Sequence, residues 1–351
     1  MPGRATPAVI AIASPLEADL VDRIAAAYPE RARVLHRPDL MPAPRYVADH
    51  GDPDFRRTPG QSAEWRAMLA QADATFDFPQ DGPLGPLDLC PRLRWIQTTS
   101  AGVGPAARRF GLEGSGVIVT TASGIHAGPL AEFTFAALLS WVKQLPRLRQ
   151  DMADRAWNRF CAGELAGMTL AIIGPGRIGR EVARIGRACG MTIWAMARTN
   201  DPARAAELGA DRIWRREDLR EMLAGADAVV LATPLTAETE GMIGAGEIAA
   251  MKPGVLLVNI ARGAVIDEDA MAAALASGHI GFAALDVFRT EPLPPESPLW
   301  DLANVLVNPH SASTAWRENE RLTERFIANL GRFLDGDYGA MAPRLDVARG
   351  Y

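Results

Sequence analysis

The chain has 351 residues, of which 48% are hydrophobic and 23% charged, a composition typical of a globular protein long enough for two domains. Its formal net charge of −5 gives no reason to expect nucleic acid or an anionic membrane as a partner. The cysteines Cys90, Cys161 and Cys189 lack C-x-x-C or metal-ligand spacing, which favours a reducing cytoplasm over a disulfide scaffold. The longest apolar run, 130–142, contains Glu132 and is too short to span a membrane, so we expect a cytoplasmic protein.

Strand and helix patterns alternate over the first 120 residues. The segment 37–60 is rich in proline and charge without periodicity, which predicts an exposed surface loop. Around it, the patterns predict strands at 8–13, 33–36, 74–78, 93–98 and 117–121, and helices at 16–28 and 63–70.

A turn of small residues, TTSAGVG at 98–104, follows the fourth predicted strand. Such a turn exposes backbone N–H groups, which can hold a carboxylate. A long helix beginning near Pro129 is expected to connect the domains. The segment 147–157 mixes charged residues with Trp157, which suggests a contact in a dimer.

The stretch 168–199 has a strand, a glycine turn, a helix and a second strand in succession. Gly174, Gly176 and Gly179 form G-x-G-x-x-G, in which one glycine permits a tight turn, one lets backbone approach a pyrophosphate, and one lets helix pack on strand. The helix N-terminus would offer N–H groups to the phosphates, in particular those of Arg177 and Ile178. An ordinary glycine-rich turn could look similar, but this order of elements favours dinucleotide binding.

The residues after the second strand bear on the choice of cofactor. An NAD-preferring site places a carboxylate there to bind the ribose 2′-OH, whereas this strand is followed by Ala197, Arg198 and Thr199. Arg198 could pair with a 2′-phosphate, and Thr199 adds a hydroxyl donor. Although Arg198 could simply be a solvated charge, we predict NADP(H) over NAD(H).

The alternation continues to the C-terminus and predicts a parallel sheet with helices on both faces. The final predicted helix, 315–334, is expected to return to the first domain. The other predicted elements are strands at 227–233, 255–260, 280–287 and 305–307, with helices at 246–251 and 268–277.

Three charged side chains follow predicted strands, where ligands of open α/β sheets bind. Arg262 could clamp a carboxylate and an adjacent oxygen, and His310 beside Glu291 could donate a proton to a carbonyl oxygen and take it back. Alternatively, Arg262 could pair with Asp267, Glu291 could be an exposed loop acid, and His310 could cap a turn. The joint placement at strand ends favours catalysis, and no motif predicts a metal site.

Taken in order, the motifs GPGRIG, TPLTAETEGMIG, MKPGVLLVNIARGAVIDEDAM, ALDVFRTEPLP and NPHSAS closely resemble the D-isomer-specific 2-hydroxyacid dehydrogenases over residues 122–313. The resemblance implies an α/β protein of two Rossmann- or flavodoxin-like domains with parallel sheets and a cleft between them. A discontinuous substrate-binding domain would comprise 1–120 and 314–351, and a dinucleotide-binding domain would comprise 121–313.

The resemblance also implies roles for individual residues. Arg262 would bind the substrate carboxylate and carbonyl, Glu291 would orient and charge His310, and His310 would be the general acid/base. The backbone of Ala101, Gly102 and Val103 would receive the carboxylate, although Gly104 stands where many members carry Asp. Further cofactor contacts are expected at Thr233, Pro234, Ile260 and Asp286.

The expected reaction is hydride transfer between NADP(H) and a small 2-keto or D-2-hydroxy acid by a homodimer. Ala197-Arg198 resembles the corresponding residues of NADP-preferring glyoxylate and hydroxypyruvate reductases, so these two acids are the first expected substrates. The alternative is a nucleotide-sensing binding protein of the same fold with little turnover, similar to a transcriptional co-repressor.

Overall fold

The computed structural model describes residues 6–52, 54–197 and 202–348. The strands are β1 (Ala8–Ile12), β2 (Ala32–Leu35), β3 (Ala74–Phe76), β4 (Trp95–Gln97), β5 (Ile118–Thr120), β6 (Thr169–Ile173), β7 (Thr192–Met196), β8 (Arg212–Trp214), β9 (Ala228–Leu231), β10 (Val255–Asn259), β11 (Ile280–Leu285) and β12 (Val305–Val307). The helices are α1 (Ala18–Ala27), α2 (Pro59–Leu69), α3 (Pro86–Leu89), α4 (Gly104–Arg109), α5 (Ala127–Val142), α6 (Leu145–Ala153), α7 (Arg177–Ala188), α8 (Pro202–Leu208), α9 (Leu219–Gly225), α10 (Ala245–Ala250), α11 (Glu268–Ala276) and α12 (Glu318–Asp335). No helix in the described part of the chain has the length and hydropathy needed to cross a bilayer.

Contacts divide the chain into two compact units, and the first comprises Met1–Ile125 and Thr314–Tyr351. Its sheet has the order β2-β1-β3-β4-β5 with every pair parallel, which is the flavodoxin-like order. Helices α1 and α12 cover one face, where Phe326 stacks on Trp95 with ring centroids 4.8 Å apart. Helix α2 covers the other face through Trp65 and Leu69. The final helix therefore packs on the N-terminal sheet, as predicted.

The second unit comprises His126–Ser313. Its sheet has the order β12-β11-β10-β9-β6-β7-β8, again with every pair parallel, which contains the doubly wound order of dinucleotide-binding folds. Side chains of α5 and α7 pack on one face, and those of α9, α10 and α11 pack on the other. The predicted fold class of two parallel-sheet α/β units is confirmed.

The structure corrects several predicted elements. Residues 37–60 are not simply an exposed loop, because Leu40 and Met41 are buried against α2 and Pro38–Leu40 form a 3₁₀ turn. Helices α6, α8 and α9 and strand β8 were not predicted. None of the residues of α6 is buried, although Leu145, Leu148 and Met152 recur at helical spacing along it.

Candidate functional site

The glycine turn of the second unit lies where the strand order reverses, between β6 and β9. Ligands of such sheets bind outside the strand carboxyl ends at this point. Gly174 follows β6 with φ 100°, and a Cβ there would lie 2.6 Å from backbone atoms of Ala232 and Thr233. Only glycine therefore lets the β6 turn approach the segment that follows β9.

The other two glycines of the turn differ in their surroundings. A Cβ on Gly179 would lie 2.5 Å from the carbonyl oxygen of Gly174, so this glycine lets α7 pack on the turn. A Cβ on Gly176 would meet nothing within 4 Å, so the backbone just before α7 faces open space. An open backbone beside a helix N-terminus is a cradle that fits a diphosphate.

Of the other residues predicted to bind the cofactor, some follow strands of the second unit and some lie outside the described residues. Thr233 and Pro234 follow β9, and the Pro234 carbonyl accepts a hydrogen bond from Thr239 Oγ1 at 2.7 Å. Ile260 follows β10 and is buried. Arg198 and Thr199, on which the predicted cofactor preference rests, lie outside the described residues.

The pair predicted to exchange a proton is joined in the second unit. Glu291 Oε2 lies 2.7 Å from His310 Nδ1, and Glu291 Oε1 accepts the backbone N–H of Phe288 at 3.0 Å. His310 follows β12 in a left-handed conformation with φ 51°. Its side chain is 43% exposed. The imidazole is therefore accessible to a small molecule even though the carboxylate of Glu291 holds it.

Arg262 follows β10, which is separated from β12 by β11 in the sheet order. Its Nη1 donates to the Ala261 carbonyl at 2.6 Å, while Asp267, its suggested partner, caps α11 by accepting the Ala270 N–H. A Cβ on the neighbouring Gly263 would overlap the carbonyl group of Phe288. The loop of Arg262 therefore packs backbone to backbone against the segment that leads to Glu291.

Asp286, predicted to hold the nicotinamide end of a cofactor, is buried at the end of β11. Its Oδ1 accepts hydrogen bonds from Asn308 Nδ2 at 2.5 Å and from the Ala312 N–H at 2.9 Å. These bonds fix both sides of the loop that carries His310. Asp286 thus has a structural contact that sequence reasoning did not anticipate.

Three supporting residues were missed in the sequence. Buried Asn259 shapes the Arg262 loop by accepting the Ala261 N–H and donating to the Arg262 carbonyl. Gly263 and Asn308 join separate loops across the strand ends. Each of the three lies within three residues of a predicted site residue, and the sequence offers no other indication of its role.

The turn predicted to bind a carboxylate, Ala101 to Val103, lies in the first unit after β4. Within residues 6–52, 54–197 and 202–348, its three backbone N–H groups have no acceptor in the protein. Gly102 and Val103 line a cavity of about 1170 Å³ in this unit. The turn can therefore offer donors to a small anion.

The remaining histidines have other surroundings. His279 Nε2 lies 2.9 Å from the Ile248 carbonyl, and His50 Nδ1 lies 3.3 Å from Ser14 Oγ. Burial lowers the pKa of His36, and His126 is the N-cap of α5. In the part of the chain that the structure describes, no cluster of His, Cys, Asp and Glu could hold a metal ion.

Comparison with known proteins agrees with this geometry. Residues 135–312 match the family model described as "D-isomer specific 2-hydroxyacid dehydrogenase, NAD binding domain". A glyoxylate reductase of Thermococcus gammatolerans is 37% identical over 264 residues, which cover 71% of this chain and 76% of that protein.

Two further relatives extend the comparison. A D-3-phosphoglycerate dehydrogenase of Mycobacterium tuberculosis is 41% identical over 301 residues, or 80% of this chain, which spans about half (53%) of that protein. A D-isomer specific 2-hydroxyacid dehydrogenase of Xanthobacter autotrophicus Py2, solved with NADPH and MES, superimposes with a TM-score of 0.74 at 26% identity. That similarity covers 99% of this chain and all of the other.

Proposed function

We propose, because the chain belongs to the D-isomer specific 2-hydroxyacid dehydrogenase family, that it is an NADP(H)-preferring reductase of small 2-keto acids. Glyoxylate and hydroxypyruvate are the first proposed substrates. The observation that carries the proposed chemistry is the 2.7 Å contact between Glu291 Oε2 and His310 Nδ1.

His310 is proposed to be the general acid in reduction and the general base in oxidation. An ionised carboxylate only accepts hydrogen bonds, so the Glu291 contact places a proton on Nδ1 and leaves Nε2 to exchange a proton with the substrate oxygen. The carboxylate also stabilises the cationic imidazole that donates this proton. A bound nicotinamide would supply the hydride to the substrate α-carbon.

The substrate carboxylate is assigned to two groups of donors. The guanidinium of Arg262 is proposed to bind the carboxylate and the keto oxygen, because its planar fork can donate to both. The backbone N–H groups of Ala101, Gly102 and Val103 are proposed to receive the carboxylate, and the absence of acceptors for them in the described part of the chain supports this role.

The cofactor is proposed to lie with its diphosphate on the turn of Gly174, Gly176 and Gly179. The preference for NADP(H) is supported by Arg198 in the sequence, which matches the charge of a 2′-phosphate. It is also supported by the Xanthobacter relative that was solved with NADPH.

The test is a panel of glyoxylate, hydroxypyruvate, pyruvate and phenylpyruvate, each assayed with NADPH and with NADH. We expect the highest kcat/KM for one of the two small acids with NADPH. A lower kcat/KM for NADPH than for NADH rejects the cofactor preference. Cofactor binding without turnover of any acid rejects the enzyme and favours a nucleotide-sensing protein.

The chain is further proposed to form a homodimer through the second unit. Leu145, Leu148 and Met152 recur at helical spacing on α6, and they are 43%, 39% and 79% exposed. Trp157 is 95% exposed shortly after them, and such an apolar face on a protein surface marks an interaction site. Light scattering should give a dimer for the wild type and a monomer for Met152→Asp with Trp157→Asp; a wild-type monomer contradicts the proposal.

A further inference from the structure

The first unit has its own strand-end site, and Asp77 is its most unusual residue. Asp77 follows β3, next to the point where the strand order reverses between β1 and β3. It has φ 70°, a left-handed conformation that few non-glycine residues adopt and that is common at functional sites. Its backbone N–H donates to the Gln97 carbonyl at 2.7 Å, which fixes its position beside β4.

The carboxylate of Asp77 is held but retains acceptor capacity. Oδ1 accepts the Phe78 N–H at 2.9 Å, and Oδ2 accepts the hydroxyl of buried Thr99 at 2.8 Å. A carboxylate can accept about four hydrogen bonds, so two acceptor positions remain. Thr99 lies two residues before Ala101, the first residue of the turn proposed to bind the carboxylate. Asp77, Thr99, Gly102 and Val103 line the same cavity.

The cationic side chains of this cavity bind other groups. Arg66 Nε donates to Asp81 Oδ2 at 2.6 Å, and Arg57 donates to the carbonyls of Leu40 and Gln80. Across the residues that the structure describes, Asp77 makes no ion pair. The cavity therefore presents, near the proposed carboxylate turn, an acceptor whose negative charge is not neutralised by a neighbouring arginine.

We propose that Asp77 is a specificity-determining residue that selects 2-keto acids with a hydroxyl or ammonium donor on the carbon next to the keto group. This inference rests on the proposed function. A substrate donor would hydrogen bond to the free acceptor positions of Asp77, whereas a methyl group would leave them unpaired. A second carboxylate on the substrate would be repelled by Asp77, so 2-keto acids with two carboxylates would be disfavoured.

The test compares hydroxypyruvate with pyruvate, which lacks only the hydroxyl, and with oxaloacetate, which carries a second carboxylate. The full chain is assayed with NADPH as wild type, Asp77→Gly, Asp77→Asn and the control Asp52→Asn. Glycine adopts φ 70° without strain, so Asp77→Gly removes the carboxylate and leaves the backbone in place. Asp52 lines the same cavity and its side chain accepts the Asp54 N–H at 2.9 Å, which makes it a matched acidic control.

We expect the hydroxypyruvate-to-pyruvate ratio of kcat/KM to fall about tenfold or more in Asp77→Gly. Asp77→Asn should keep part of this ratio through its amide oxygen and should raise the relative kcat/KM of oxaloacetate. Asp52→Asn should leave both ratios within about twofold of wild type. An unchanged hydroxypyruvate-to-pyruvate ratio in Asp77→Gly overturns the inference.

Turnover by the wild type tests the proposed reductase activity, and the ratios measured for the variants test the proposed role of Asp77. Failure of one proposal can therefore be told from failure of the other. Calorimetric titration of the NADP-loaded protein with D-glycerate and D-lactate gives a second readout that does not need turnover. D-glycerate should bind more tightly to wild type, and this advantage should be lost in Asp77→Gly. Equal binding of the two acids by wild type also overturns the inference.

Discussion

Each unit anchors the start of its first strand with an aspartate that precedes a neighbouring strand. In the first unit, Asp73 accepts the Val9 N–H at 2.8 Å and binds Arg92 Nη2 at 3.0 Å. In the second, Asp227 accepts the Thr169 N–H at 2.8 Å and binds Lys252 Nζ at 2.7 Å. The same contact thus recurs at the amino ends of both sheets.

The carboxyl ends of the two sheets differ. The second unit presents a glycine cradle and the Glu291–His310 pair. The first presents Asp77 and a turn whose N–H groups have no acceptor among the described residues. Contacts at strand starts hold a parallel sheet together, and residues at strand ends bind ligands. If this division of roles holds, substitutions at strand ends should lower activity and substitutions at strand starts should lower stability.

The largest effect is expected at His310. His310→Ala should lower kcat/KM about 10²- to 10⁴-fold, because the keto oxygen would lose its proposed proton donor. The melting temperature should change little, since the side chain is 43% exposed. Steady-state kinetics and thermal melting measure both quantities, and near-wild-type turnover would remove the assigned chemistry.

A histidine away from the strand ends provides the control. His279 contacts the Ile248 carbonyl, and His279→Gln should retain most of the activity. Arg262→Ala should behave like His310→Ala, with a kcat/KM lower by orders of magnitude in a folded protein. If His279→Gln were as inactive as His310→Ala, the loss could not be assigned to proton transfer.

Much of the second unit could be predicted because its strands are apolar runs bounded by turn residues. The strand 305–307 has the predicted bounds, and the second strand predicted within 168–199 is β7. The strand β8 was missed because it has three residues and an exposed arginine, and so gives almost no periodic signal. The position of such a short edge strand is determined by the neighbouring strand with which it pairs.

The candidate site residues could likewise be predicted only where the local sequence determines their position. Glu291 and His310 could be predicted as partners because each follows a recognisable strand, and the structure joins them directly. Gly263 could not, because its requirement for glycine arises from Phe288, whose backbone approaches it in the fold. Asp77 was missed since its position depends on Thr99, 22 residues later in the chain.

The backbone contact at Gly263 should make this position sensitive in both stability and activity. Gly263→Ala would force a Cβ into the carbonyl group of Phe288, and neither backbone segment can rotate away as a side chain could. We expect a loss of about 3 kcal/mol in the free energy of unfolding, at the upper end for overpacking. Urea unfolding measures this loss.

The activity of Gly263→Ala tests whether the displaced backbone also disturbs the Glu291–His310 pair. In the folded fraction, kcat/KM should fall because displacement of Phe288 moves the N–H that holds Glu291. Gly241→Ala is unsuitable as a control because its φ is 60°, whereas Gly128 has φ outside the left-handed region and open space around its Cβ position. Gly128→Ala should keep wild-type stability and activity, and a Gly263→Ala variant as stable as the wild type would contradict the expected loss.

A smaller effect is expected at Gly176, where open space replaces the close backbone contact. Gly176→Ala should change the free energy of unfolding by less than about 1 kcal/mol, since its Cβ would meet nothing within 4 Å. The dissociation constant for NADPH should rise about tenfold, because the methyl group would occupy space that the diphosphate needs. Fluorescence titration checks this value, and unaltered NADPH affinity would contradict a diphosphate on this turn.

The smallest effects are expected for the cations at the strand starts. Arg92 is 55% exposed and Lys252 is 40% exposed in their pairs with Asp73 and Asp227, so Arg92→Gln and Lys252→Gln should each cost less than about 1 kcal/mol. Asp73→Asn should cost more, about 1.5 to 3 kcal/mol, because buried Asp73 also accepts the Val9 N–H. Urea unfolding of the three variants, with kcat/KM measured in parallel, tests both halves of the comparison. If either cation variant lowered kcat/KM as strongly as a strand-end substitution, strand starts and strand ends would not have separate roles.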